Sequence, residues 1–475
     1  MKYPEGPSTP KILQMLQWVT DPVGYMEAAA RDYGDIFNTL VLGKPRLFVS
    51  NPQALQQIFT NDTKQFTAPG DLNIHFQPLA GEYSLFMLSG TSHQRQRQML
   101  MPGFHGDRLL SYGKLICKIA SQVMNQLPPG KPFFARSAME EISMQVILQA
   151  VFGVSSGKGQ ELLKQGLSSM LDIFQSPLIA SLFYFPGLRR DLGPWSLSGK
   201  LIRQRQQVDE MIYAEIFSRR QQPDPSGTDV LSLLIAARDE AGEPMTDVEL
   251  HDQLLALLIA GQETTATAMA WALYWVHRLP EVGAKLLAEL ATLDRVACAQ
   301  RNPNPDPTSI FQLPYLTAVC NETLRIYPVL PVTFLRVVQE SVELLGYSLP
   351  PETVLYGCIY LTHQREDIYP EPKQFKPERF LSRQYSPYEF LPFGSGVRRC
   401  IGSGLAMYEM KLVLATILSN YQLELADKRP VKPQWRGFAL APAGGVKMVM
   451  KGRRDRVKKT SGCHRIPRCH SGNAY

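Results

Sequence analysis

Cys400 closes the decapeptide Phe393-Gly394-Ser395-Gly396-Val397-Arg398-Arg399-Cys400-Ile401-Gly402 and stands just ahead of an apolar-periodic segment, Leu405 to Leu418. A thiol so placed meets unsatisfied backbone N–H groups and the positive end of a helix dipole, and two arginines precede it. These conditions favour a thiolate. A thiolate serves either as a nucleophile or as a metal ligand. A cysteine-protease reading needs a histidine to act as base, and a zinc site needs three or four clustered nitrogen and sulfur ligands. No histidine lies within thirty residues of Cys400, and the nearest cysteines in sequence are Cys358 and Cys463. A lone thiolate can still bind iron if a macrocycle supplies the in-plane ligands.

A second group of candidates breaks the apolar rule of a helix. Thr246-Asp247-Val248-Glu249 has the form of a capping box, and a helical pattern runs from it to about Arg278. At ~1.5 Å per residue such a helix spans roughly 45 Å, enough to cross a large domain. Its midpoint, Gly261-Gln262-Glu263-Thr264-Thr265, interrupts apolar runs on both sides. A buried helix with a glycine, an acid and two threonines at its centre is strained or functional there. Thr264 can return its hydroxyl to the carbonyl of Ala260, and Gly261 lets another group approach the backbone closely. Two further pairs share helix faces: His93 with Arg97, four apart, and Glu322 with Arg325, three apart.

The elements that must hold these residues are mostly helical. Ile12 to Tyr33 reads as one or two short helices around Asp21-Pro22, and Ile36 to Leu42 and Arg46 to Val49 form a hairpin about Gly43-Lys44-Pro45. Phe66 to Gly90 is a long structured loop, and Ser92 to Met101 is a basic helix. Helices fill Leu109 to Phe217, and the apolar stretch Leu171 to Leu188 reads as either a mobile lid or a plain core segment. Strand-like runs follow at Thr333–Val338, Val342–Leu345, Val354–Tyr360, Tyr421–Leu425 and Val446–Met450. With no repeat and no clear linker, residues 1–450 read as a single α-rich domain with small β-sheets.

Composition sets limits on this picture. The 475 residues are 44% hydrophobic and 20% charged, which excludes a disordered or fibrous class. The net charge of +7 belongs to the end of the chain, since Lys451 to Tyr475 holds eight Lys or Arg against one Asp. The remainder balances at 42 basic and 42 acidic residues, so no nucleic-acid partner is indicated. Residues 451–475 form a basic, disordered tail. Seven scattered cysteines, an odd number, fit a reducing compartment, and no apolar run reaches 18 residues. The expectation is a cytoplasmic monomer with at most peripheral membrane contact.

Phe393, Gly396, Arg398, Cys400 and Gly402 together match F-x-x-G-x-R-x-C-x-G, the signature of the cytochrome P-450 family, which the chain resembles from about residue 4 to residue 450. Three more motifs stand in the family's order. Ala260 to Thr265 is similar to its oxygen-binding stretch, Glu322-Thr323-Leu324-Arg325 to its E-x-x-R, and Pro377-Glu378-Arg379-Phe380 to its P-E-R-F. The resemblance implies the cytochrome P-450 fold with a long central helix, and haem b ligated by Cys400, with Phe393, Gly402 and Gly261 beside it. Arg398, Arg97 and Arg336 would face the haem carboxylates, together with His93, which stands where the family usually has a tryptophan. Glu263 and Thr264 would be catalytic, relaying protons to dioxygen. Arg379 would complete a buried network with Glu322 and Arg325 that holds the cysteine loop. Pocket walls would come from Leu85, Phe86, Met87, Phe174, Leu178, Leu257, Ala260, Val332, Thr333 and Phe334.

The implied reaction is oxygen-dependent monooxygenation of a hydrophobic guest: hydroxylation of a fatty acid, an alkane or a terpenoid, as in the cyanobacterial branch of the family, which this chain resembles. Lys44 or Arg46 could hold a substrate carboxylate. Nothing after residue 450 could form a flavin or iron–sulfur domain, so electrons come from a separate ferredoxin or flavodoxin. Arg399, Lys411 and Arg95 are candidates for a basic docking face. A haem-thiolate peroxygenase or isomerase, or a non-catalytic haem sensor, would need Cys400 but not the relay residues.

Overall fold

A computed structural model describes residues 3–41, 44–153, 158–174, 193, 195–222, 227–299, 306–437 and 439–454. Of the tail expected from 451, residues 451–453 belong instead to the strand Lys447–Arg453 and the Arg454 N–H donates to the Asn420 carbonyl at 2.9 Å; residues from 455 and most of the 171–188 segment, including Leu178, lie outside the described residues, as does the Phe174 side chain. The N-terminal helices run Lys11–Thr20 and Pro22–Tyr33; Asp21 separates them and caps the second by accepting from the Gly24 N–H. Strands Ile36–Thr39 (β1) and Arg46–Val49 (β2) pair antiparallel. They join Phe66–Thr67 (β3), Arg336–Val338 (β4) and Val354–Gly357 (β5) in one sheet ordered β1-β2-β5-β4-β3. Only β2 and β5 run parallel. This sheet ties the first fifty residues to the segment that follows Glu322.

Several strands lacked a readable pattern in the sequence, three of them far from the motifs. Pro132–Phe134 pairs with Lys447–Arg453, and Pro433–Arg436 (β6) with Ala439–Pro442 (β7). Two of them begin with proline, whose missing N–H is tolerated at a strand's first residue. Their partners, not their own alternation, make them strands.

Six helices position the site: α1 (Gly90–Leu100), α2 (Ala135–Phe152), α3 (Leu197–Gln221), α4 (Asp247–Arg278), α5 (Pro314–Ile326) and α6 (Ser403–Asn420). The central helix α4 has 32 residues and both halves of its capping box, with Thr246 and Glu249 bonded reciprocally. It packs along α2 and against α6, α5 and β7, through one continuous apolar core. Trp271 on α4 is fully buried, and its indole N–H donates to the Leu440 carbonyl at 2.9 Å. From Leu250 to Tyr274 every α4 residue is buried except Ala260, Gly261 and Thr264. Those three share one helical face, so an otherwise enclosed helix opens onto free space at its midpoint. Among the described residues no helix is long and apolar enough to cross a membrane.

Candidate active site

The cysteine loop is held shut by its own backbone and by a residue far upstream. Cys400 N–H donates to the Phe393 carbonyl at 2.9 Å. Gly394 and Gly396 both take φ of 68°, the left-handed region that favours glycine. At Gly396 a second constraint applies: an added Cβ would stand 2.0 Å from the Asp62 carboxylate. Asp62 is buried and accepts from the Val397 N–H at 2.8 Å and from Arg336 at 3.0 Å. It was not legible as a site residue, because a lone aspartate 335 residues from its partner has no local pattern. By contrast, a Cβ at Gly402 would meet nothing within 4 Å.

Beneath the loop, Glu322 collects four donors. Arg325 pairs with it at 2.7 and 2.9 Å, Arg379 at 3.1 Å, and the Lys376 N–H donates at 2.7 Å. Glu322 and Arg325 are completely buried. Arg325 also donates to the carbonyl of His363 at 2.8 Å. The ring of His363 accepts from the Leu391 N–H, just before the cysteine loop, so this histidine is structural.

The field around Cys400 differs from the sequence expectation. Burial pushes the thiol pKa up, and the Gly402 N–H with Arg97 and Arg399 only partly offsets this. A bound cation would oppose this upward push, because a positive ion at the sulfur favours the thiolate. The side chain is nonetheless accessible, although crowded by protein, so it faces interior space.

A cationic cluster adjoins it. Burial, then Arg398, Arg97 and Arg336, push the His93 pKa down to about 3. Arg398 falls to about 10 from burial and from the charges of Arg336 and Arg97. Among the described residues no carboxylate pairs with Arg97 or Arg398, and the His93 ring makes no hydrogen bond. Arg398 is turned onto the carbonyls of Ala68, Leu85 and Leu88. Arg336 is committed elsewhere: its fork meets Asp62 and the carbonyls of Phe334, Leu335 and Ser395. Arg336 thus braces the cysteine loop, whereas His93 and Arg97 remain available to an anionic group.

On α4 the two relay candidates point apart. Thr264 donates to the Ala260 carbonyl at 2.7 Å and lies on the open face. Glu263 is buried between helices; its carboxylate meets Arg136 at 3.0 Å, and a Cβ at Gly437 would stand 3.0 Å from it. Burial raises its pKa to about 7; Arg136 lowers it, Glu140 raises it and Arg436 lowers it by smaller amounts. The close approach expected at Gly261 is made by α2: an added Cβ would stand 2.8 Å from the Ile147 side chain. Ser143, also on α2, donates to the Gly261 carbonyl at 3.1 Å. Glu409 on α6 is bonded to Ser143, and burial pushes its pKa to about 8. Neither Ser143 nor Glu409 had a sequence signal.

The apolar candidates divide likewise. Phe86 stacks on Phe76 at 5.2 Å and on Phe334 at 5.9 Å, an aromatic wall joining the 66–90 loop to the segment before β4. Phe76 was missed. Leu85, Met87 and Val332 are half-buried, Ala260 lies on the open face and Leu257 one turn before it. Thr333 belongs to the sheet, because its hydroxyl accepts from the Gly357 N–H at 3.0 Å. Phe334 thus turns to the aromatic wall, whereas Thr333 faces the sheet and Val332 packs on the buried cluster that includes Trp18, Met26 and Phe48. Of the basic docking residues, Arg399 is exposed. Lys411 is buried against Phe311, and Arg95 is neutralised by Asp239 and Glu249.

The family model described as Cytochrome P450 matches residues 4–447. Cytochrome P450 135B1 of Mycobacterium tuberculosis is 33% identical over 463 residues, covering 97% of this chain and 94% of that protein. Cytochrome P450 135A1 of the same organism is 31% identical over 447 residues, covering 93% and 94%. Among solved structures, the retinoic acid bound cyanobacterial CYP120A1 superimposes with a TM-score of 0.79 at 24% identity, over 92% of this chain and 96% of that one. The cytochrome P450DA heme domain gives 0.79 at 21%, over 95% and 98%. The chain belongs to the cytochrome P-450 family, and with it to the haem-thiolate monooxygenases.

Proposed function

We propose that Cys400 is the thiolate ligand of the haem, that His93, Arg97 and Arg398 face its carboxylates, and that the protein hydroxylates a hydrophobic substrate held against Phe76, Phe86 and Phe334. The residues present fit the cofactor: an accessible thiol, Arg97 beside it with no carboxylate partner among the described residues, a His93 ring free of hydrogen bonds, a glycine with open space beside it and a partly open patch on α4. When bound, the haem supplies dioxygen activation, in which two electrons and two protons send one oxygen atom to the substrate and the other to water. The chain's own residues orient and protonate. Phe393 and Gly402 shape the cysteine side, and Ala260 leaves room on the other, while Gly261 admits the Ile147 side chain of α2. Thr264 holds a hydroxyl on that open face, and Glu263, poised near neutral pH, stores a proton one residue away.

The aromatic wall carries the substrate class. Three stacked phenylalanines offer apolar surface and no hydrogen-bonding group, which supports a fatty acid, an alkane or a terpenoid. The structural similarity to a protein bound to retinoic acid, a terpenoid acid, points the same way. Lys44 and Arg46 supply positive charge for a carboxylate. The electron donor is a separate ferredoxin or flavodoxin, with Arg399 at the docking face. Free Cys117, Cys320 and Cys358 fit a reducing cytoplasm.

Substrate-induced spin-state titration of the haem-loaded protein with a panel of fatty acids, alkanes and terpenoids tests the substrate class. Binding by such compounds and not by polar ones is expected; the reverse preference sinks the reading. A ferrous–CO spectrum of the histidine type in undamaged protein would overturn the Cys400 assignment.

A further inference from the structure

The imidazole of His251 lies between two carboxylates. Its Nδ1 is 2.9 Å from Asp252 and its Nε2 2.9 Å from Asp209, while Tyr213 stacks on the ring at 4.3 Å. Ionised carboxylates only accept hydrogen bonds, so satisfying both requires N–H on both ring nitrogens, that is, the imidazolium. His251 is 3% exposed and Asp252 5%. A charge so placed is kept only because it is paired.

Each carboxylate also reaches the loop that carries Leu85, Phe86 and Met87. Asp252 accepts from the Tyr83 N–H at 2.8 Å and sits so close to Gly81 that an added Cβ would stand 2.1 Å from it. Asp209 holds Arg205 at 2.6 Å, and Arg205 donates to the carbonyls of Pro78 at 2.8 Å and Leu79 at 2.6 Å. Gln253, the next residue of α4, takes the Leu85 N–H at 3.2 Å. The loop is thus tied to α3 through Asp209 and Arg205 and to α4 through Asp252 and Gln253, and His251 joins the two ties.

We propose that His251 is a positioning residue of the pocket wall: as an imidazolium bridging Asp209 and Asp252 it clamps residues 78–85 to α3 and α4, and loss of its proton frees that loop and speeds exchange of hydrophobic ligands. The charged groups facing the ring are Arg205 and Asp209 with Tyr213 on α3, and Asp252 on α4; Asp247, one turn earlier, is paired with Arg220 at 2.7 Å. The loop itself contributes backbone. Two cations and two anions balance when His251 is charged, and one negative charge is left when it is not. Burial alone would push the His251 pKa down, but its bonds to Asp209 and Asp252 and their charges outweigh it, so the pKa lies above the ordinary 6.5. The clamp is therefore complete below that ordinary value and opens as pH rises through the higher folded-state value. The effect on ligands rests on the reading of Leu85, Phe86 and Met87 as pocket wall.

Amide hydrogen exchange of the haem-loaded protein, corrected for intrinsic chemistry, tests the clamp at Tyr83 and Leu85 from about pH 6 to about pH 9. Protection at Tyr83 should fall roughly tenfold or more across this range, and His251→Gln should remove the pH dependence. If that variant fails to fold, Asp209→Asn should shift the loss of protection to lower pH. Protection that is level with pH in the native protein, or that falls equally in the variants, overturns the clamp. Release of fluconazole, a neutral azole read by its haem spectrum, should quicken over the same range. Unchanged release alongside falling protection would overturn the pocket-wall reading and leave the clamp standing.

Discussion

Glu322 and Glu263 are both buried glutamates on helices that face the cofactor region, yet the protein treats them in opposite ways. Glu322 has three arginine nitrogens and a backbone N–H within 3.1 Å, whereas Glu263 has one arginine nitrogen at 3.0 Å. The first environment saturates the carboxylate with hydrogen bonds, and in the second burial raises the Glu263 pKa to about 7 and leaves a proton in play. A buried acid becomes architecture or chemistry according to how many donors surround it.

The largest expected effect breaks the architectural side. Glu322→Gln strands Arg325 and Arg379 in the interior and should cost about 3–5 kcal/mol, seen as a drop in denaturation midpoint together with loss of haem retention. Glu263→Gln tests the other side, and the sign runs against the usual carboxylate. The folded protein holds this proton up to about pH 7, while the unfolded chain releases it near 4.5. The native protein should therefore lose stability between those values, by up to about 3 kcal/mol, and the variant should lose that slope. If Glu263 handles a proton in turnover, product formation should fall about 10²-fold with substrate affinity unchanged. Equal and large destabilisation in the two glutamine variants would erase the contrast.

Two smaller effects sharpen it on α4. Gly261→Ala drives a methyl into Ile147 and should cost about 1–3 kcal/mol, recovered in part when Ile147→Ala is added. Absence of rescue would show that the glycine serves something other than helix packing. Thr264→Val, on the open face, should change stability by no more than about 0.5 kcal/mol. Its effect should appear instead in the ratio of product formed to electrons consumed, and an unchanged ratio would remove Thr264 from proton handling.

Residues joined by short-range pattern were legible. The capping box at Thr246 and Glu249, the hydroxyl of Thr264 returning to Ala260, and the i,i+3 pair Glu322–Arg325 follow from helical geometry alone. Partners that arrive across hundreds of residues were not. Asp62 against Gly396 and Arg136 against Glu263 have no local signature, and neither has His251 with Asp209. The charge expected on Lys411 and Arg95 is absorbed by neighbours that periodicity does not reveal. Thr333 was placed with Phe334 because adjacent residues look alike in sequence, although an extended chain sends them to opposite faces.

The sequence by itself determined the family, the long central helix with its polar midpoint and the cysteine motif that carries the proposed iron ligand, because each is written in contiguous residues whose spacing is set by backbone geometry. Only the tertiary structure decided which polar groups are committed and which are left free. Arg336 turned out to be a brace and Glu263 a carboxyl apart from Thr264, while burial at Cys400 pushes the thiol pKa up against the pull of its arginines. Burial and pairing depend on chain segments brought together from far apart, and these set the charge on every one of those groups.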